Sequence, residues 1–103
     1  MIRVPTRRQP THPGEMLLEE FLLPMRISQR ALSIEINVSY REVNEIVNRR
    51  RALRPVMALR LARFFGTSGA FWMSLQQRWD LFQAQKAEAA DLKRIKPHST
   101  LAV

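Results

Sequence analysis

Residues 28–48, SQRALSIEINVSYREVNEIVN, leave the chain few folds to choose from. Ser28 and Ser39 stand as helix caps, so the stretch reads as a helix over 29–36, a reversal at 36–38, and a second helix over 40–48. Asn37 occupies the reversal and tolerates the left-handed conformation better than any residue except glycine. Leu32 and Ile36 share one face of the first helix, Val43 and Ile46 share one face of the second, and Val38 fills the gap between them. Tyr40, Arg41, Asn44, Glu45 and Asn48 are left on the outer face of the second helix. This is the layout of a helix-turn-helix whose second helix is offered to a DNA groove.

The charge agrees with that reading. The chain has 103 residues, enough for one domain, and carries 17 basic and 9 acidic residues for a formal charge of +8. Residues 41–63 alone hold Arg41, Arg49, Arg50, Arg51, Arg54, Arg60 and Arg63 against Glu42 and Glu45. Arginine is the side chain suited to paired contacts with phosphate and guanine, so nucleic acid is favoured over acidic proteins or a membrane surface. With no cysteine, disulfides and thiolate metal sites are excluded. No apolar run approaches the roughly 20 residues of a membrane span, and no signal-peptide stretch opens the chain, so a soluble cytoplasmic protein is expected.

Around this unit, residues 1–11 read as a basic N-terminal arm with Arg3, Arg7 and Arg8. Thr11 or His12 caps the next helix, Pro13 takes its first position, and Leu17, Leu18, Phe21 and Leu22 form its buried stripe until Pro24 stops it. His12 is expected to cap or lie on the surface. Beyond the second serine-capped helix come Arg49, Arg50 and Arg51 in a loop. A fourth helix over 56–65 follows, with Met57, Leu59, Leu61, Ala62 and Phe65 facing the core and Gly66 as its cap. A long fifth helix spans about 69–90. Its Trp72, Leu75, Trp79 and Phe82 are spaced three, four, three, a heptad-like seam with Phe71 beside it, and this favours a dimer interface over a purely internal role, although the helical body can cover part of it. Residues 91–103 read as a flexible basic tail.

Three segments together carry a family resemblance: HPGEMLLEEFLLP at 12–24, SQRALSIEINVSYREVNEIVNRRRAL at 28–53, and ALRLARFFGTSGAFWMSLQQRWDL at 58–81. In these the chain resembles the HigA-type antitoxins, the virulence-associated protein I family of lambda-repressor-like (Xre) helix-turn-helix proteins. The resemblance implies an all-α, five-helix lambda-repressor-like DNA-binding domain with a long C-terminal helix. It further implies a homodimeric antitoxin that represses its own operon at a double-stranded operator and neutralises a HigB-type mRNA-cleaving toxin. A stand-alone Xre-family regulator is the alternative. Asn37 and Arg49 stand where such sequences usually have glycine, and Ser33 stands where alanine is usual.

A twofold dimer would set two reading helices in successive major grooves, about 34 Å apart. Gln29, Ser39 and the amides at the helix starts are expected on phosphates, and Arg41 and Asn44 on guanine and adenine edges. Tyr40 and Asn48 are secondary readers, and Glu45 either accepts from cytosine or holds Arg41 or Arg49 in position, the second being favoured. Arg49, Arg50 and Arg51 are expected to add phosphate contacts. No glycine-rich phosphate loop, metal-ligand cluster or nucleophile–base pair is present, so no enzyme, metal or cofactor is expected.

Overall fold

The computed structural model describes residues 9–99, so the expected basic arm falls almost wholly outside the described residues. Five helices follow one another, with no strand among the described residues. The first, α1, is continuous over 13–25. It begins as Pro13–Met16, widens through Leu17–Leu22 into a π-helical stretch, and closes as Leu23–Met25. Helix α2 is Gln29–Glu35, α3 is Tyr40–Val47, α4 is Pro55–Phe65 and α5 is Gly69–Arg94.

The serine caps form as expected. Ser28 Oγ accepts from the Ala31 amide at 3.0 Å, and Ser39 Oγ accepts from the Glu42 amide at 3.0 Å. Ser68 does the same for Phe71 at the start of α5, at 3.0 Å. Asn37 turns the chain with φ 55°, in the left-handed region, and Arg60 of α4 clamps that turn by donating from Nη1 to the Ile36 carbonyl at 2.7 Å. Leu32, Ile36, Val43 and Ile46 then meet Leu17 and Leu22 of α1, Met57 and Leu61 of α4, and Trp72 and Leu75 of α5 in one core. Val38 packs at its edge.

Four expectations are corrected by this packing. Pro24 does not stop α1. The ladder before it runs in five-residue steps, with the Leu23 amide donating to Leu18 O. The wider turn relieves the clash that a proline ring ordinarily makes with the preceding turn. The helix ends instead at Arg26, left-handed at φ 57°. Leu59 is not a core residue; it is 64% exposed on the outer face of α4. Helix α5 continues past 90 to Arg94, absorbing the start of the expected tail. Its AEAAD segment contains good helix formers, and Lys93 and Arg94 suit the negative C-terminal end.

The fourth correction concerns the aromatic seam of α5. Trp72 and Leu75 are 0% and 4% exposed and belong to the chain's own core. Phe71 is half-buried against Trp72 and Phe21, and Trp79 lies edge-on to His12 at 4.8 Å. Phe82 is half-buried beneath Lys86. A heptad spacing satisfies a second chain and a folded-back α1 equally well. Here α1 and α4 take the first half of the seam, so Trp72 and Leu75 are not available to a partner.

Candidate nucleic-acid interface

The outer face of α3 owes its shape to its inner face. Val43 and Ile46 are fully buried, and Glu42 is nearly so. Arg54, at the cap of α4, grips Glu42 with two nitrogens of its guanidinium, Nε and Nη2, at 2.8 to 3.0 Å. A carboxylate on the inner face of a reading helix would be costly to bury alone, and the paired geometry offsets that cost. The opposite face is thereby aimed outward, with Tyr40, Arg41 and Asn48 exposed and Asn44 and Glu45 half-exposed.

On that face the side chains are held in order. Glu45 accepts from Arg41 Nε at 2.8 Å with one oxygen and from Arg51 Nε at 2.8 Å with the other. The hydrogen bond from Arg41, and next that from Arg51, keep its carboxyl below the ordinary carboxylate range. Each arginine spends only part of its donor set this way, so donors remain free to point outward. Asn44 Nδ2 donates to Gln29 Oε1 at 3.0 Å, a bond that locks α3 to the start of α2. Ser39 uses its oxygen as a cap and keeps its hydroxyl proton as a donor. The Tyr40 ring carries the Arg30 guanidinium at 4.9 Å, and Asn48 folds back to donate to the Asn44 carbonyl at 2.9 Å.

The three consecutive arginines part company. Arg51 joins Glu45, and Arg50 lies exposed. Arg49 turns toward α1 and α5 instead, donating to Glu15 at 2.9 Å and resting its guanidinium 5.8 Å from the Trp79 ring. Its φ is 61°, in the left-handed region that favours glycine. That conformation costs a side chain about 1 kcal/mol, which the Glu15 and Trp79 contacts help to offset.

Sequence reasoning missed Glu42, Arg54, Gln76 and Gly14, whose roles are set by distant neighbours. Gln76 is buried in α5, accepts from the Leu53 amide at 2.7 Å and donates to Asp80 at 2.9 Å, anchoring the loop that carries the arginines. The only signal was a glutamine interrupting an apolar face.

His12 closes the other side of this junction. It is buried, and its Nδ1 accepts from the Gly14 amide at 2.9 Å as the cap of α1. Burial, followed by the nearby Arg49, pushes its pKa below the ordinary 6.5, while Asp80 and Glu15 pull the other way. Nδ1 can accept only when it is unprotonated. Stability from this cap is therefore complete above pH 6.5 and is lost as pH falls through the lower folded value. Thermal unfolding from pH 8 down to pH 5 is expected to show that loss, and His12→Asn, which keeps a cap without titrating there, is expected to flatten it.

The arrangement presents a short, rigid, arginine-bearing helix without reactive groups. No cluster of metal-ligating side chains exists among the described residues, and none of the described helices is long and apolar enough to cross a membrane. No protein-family model matches the chain. It is 43% identical to virulence-associated protein I of Dichelobacter nodosus over 75 residues, covering 73% of this chain and 69% of that protein. Antitoxin HigA-1 of Vibrio cholerae is 35% identical over 92 residues, 89% of this chain and 87% of the relative. Among solved structures, Pseudomonas aeruginosa antitoxin HigA with the higBA promoter superposes with a TM-score of 0.83 at 43% identity, covering 85% of this chain and 97% of that one. Sequence, helix order and the placement of the turn agree: the chain belongs to the HigA antitoxin family of helix-turn-helix proteins.

Proposed function

We infer that this protein is a cytoplasmic antitoxin that binds the operator of its own operon and neutralises a HigB-type toxin. The observation that carries the reading is the superposition on a HigA antitoxin solved with its promoter. The ordered face of α3 supplies the chemistry. Arg41 reads guanine, and Asn44, held by Gln29, reads adenine through paired hydrogen bonds. Glu45 is a positioning residue that fixes Arg41 and Arg51. Ser39, Gln29, Arg50 and Arg51 set affinity and register through phosphates. Tyr40 and Asn48 flank the readers. Arg49 acts through the junction of α1, α3 and α5, its guanidinium being engaged by Glu15 and Trp79.

Operator binding across a salt series separates these roles. Arg41→Ala is expected to cost about 1–3 kcal/mol and to relax one base position. Arg50→Ala is expected to weaken all sequences alike and to lower the salt slope by about one. Uniform loss in both variants would contradict the division between reading and holding. Whether a toxin-sized open reading frame lies beside this gene, and whether its product co-purifies on co-expression, tests the second half of the function. If no such partner co-purifies, the protein is a stand-alone regulator.

A further inference from the structure

Residues 12–25 hold Glu15, Glu19 and Glu20 and no lysine or arginine, on a chain whose formal charge is +8. The three glutamates line an open groove between α1 and the start of α5, where the half-buried rings of Phe21 and Phe71 supply the apolar surface. Glu15 spends one oxygen on Arg49, whereas Glu19 and Glu20 are exposed and form no ion pair among the described residues. Glu15 and Glu19 stand four residues apart, and like charges at that spacing on a helix repel one another. The groove therefore suits a basic segment that also brings apolar side chains.

Thr11 also lines the groove, and a segment of that composition leads into it. MIRVPTRR at 1–8, outside the described residues, carries Arg3, Arg7 and Arg8 together with Ile2 and Val4. We propose that this basic segment docks in the groove on α1, with Arg7 and Arg8 against Glu19 and Glu20 and its apolar side chains over Phe21 and Phe71. The reach is sufficient. Arg7 precedes Thr11 by four residues, about 14 Å of extended chain. Glu19 follows Thr11 by eight residues, about 12 Å along a helix. Attachment favours this occupant over a free basic partner. A short tether holds the segment at an effective concentration of roughly millimolar, so even a weak contact fills the groove. Docking neutralises the acidic side of α1 and sets these arginines on glutamates instead of operator phosphates. The inference stands apart from the operator-binding reading and does not rest on it.

The chain has no cysteine, so Val4→Cys accepts a single nitroxide whose reach is read in amide NMR spectra of the full chain without DNA. The amides of Glu19, Glu20 and Phe71 are expected to lose most of their intensity. That of Leu92, about 30 Å beyond Phe71 along α5, is expected to keep its own. Reversing the groove (E19R/E20R) or the segment (R7E/R8E) is expected to restore the intensity, and combining both pairs is expected to abolish it again. Glu19 and Glu20 are exposed, so their reversal leaves the core untouched. In a mixture of nitroxide-bearing chains with isotope-labelled chains that lack the nitroxide, the labelled chains are expected to keep full intensity. The proposal is overturned if the parental chain shows no loss at Glu19, Glu20 and Phe71, or if neither reversal alters the loss. It is equally overturned if the loss passes to chains without a nitroxide, which would assign the groove to a second copy.

Discussion

Replacing Gly14 by alanine is expected to destabilise the protein by about 3 kcal/mol or more, with a fall in Tm of roughly 15 °C. Gly14 is buried where the first turn of α1 lies directly on the last turn of α3. A Cβ added there would collide with the Ile46 carbonyl oxygen, and would stand 2.7 Å from its carbon and 2.9 Å from Val47 Cα. All three are backbone atoms, so no side chain can swing away to make room. The same Ile46 carbonyl accepts from the Arg49 amide at 3.0 Å and so helps to define the left-handed turn after α3. Relief of the clash therefore has to move either α1 or the end of the reading helix, and operator affinity is expected to fall along with stability. Gly66→Ala provides the contrast. Its added Cβ meets open space, and the loss is limited to the left-handed backbone at φ 73°, about 1 kcal/mol. Thermal unfolding followed by circular dichroism reads both variants. A Gly14→Ala protein with the parental Tm would mean that α1 does not approach α3 this closely.

Trp72→Ala is expected to cost about 3–5 kcal/mol. The side chain is wholly buried, its ring centroid lies 5.2 Å from Phe21 and 5.1 Å from Phe71, and its Nε1 donates to Thr67 Oγ1 at 2.7 Å. Its removal opens a cavity among α1, α4 and α5 and strands a hydroxyl. Trp72→Phe keeps most of the apolar volume and is expected to lose about 1–2 kcal/mol, chiefly through the hydrogen bond to Thr67. Because Trp72 faces its own chain, the fall in Tm is expected to be the same at low and high protein concentration. A fall that vanishes at high concentration would place Trp72 in an interface after all.

Much of the reading unit is a local matter and was legible for that reason. A serine hydroxyl caps the amide three residues ahead of it, and this depends on nothing distant, so Ser28 and Ser39 could be assigned from the sequence. The left-handed turn at Asn37 is likewise a property of a few successive residues, whereas the left-handed backbone at Arg49 was signalled only by the family resemblance, in which glycine usually stands there. The outward set of Tyr40, Arg41, Asn44, Glu45 and Asn48 follows from a helical period anchored by Val43 and Ile46. The role of Glu45 as a holder of Arg41 or Arg49 was read in part: Arg41 is one partner, but the other is Arg51, while Arg49 turns to Glu15.

The sequence by itself determined where the helices start, which face of α3 points outward, and that the chain carries a basic helix-turn-helix. It could not say which apolar face meets which. The three-four-three spacing along α5 and the outward leucine of α4 are equally good contacts for this chain or for a second one, since hydrophobic attraction has no direction of its own. Only the tertiary structure decided that α1 covers Trp72 and Leu75 while Val56 and Leu59 stay outside. Only it brought Arg54 to Glu42, Gln76 to the arginine loop and the bare backbone of Gly14 against Ile46. Those pairs lie 12, 23 and 32 residues apart, and their partners are chosen by how helices pack, which no local pattern encodes.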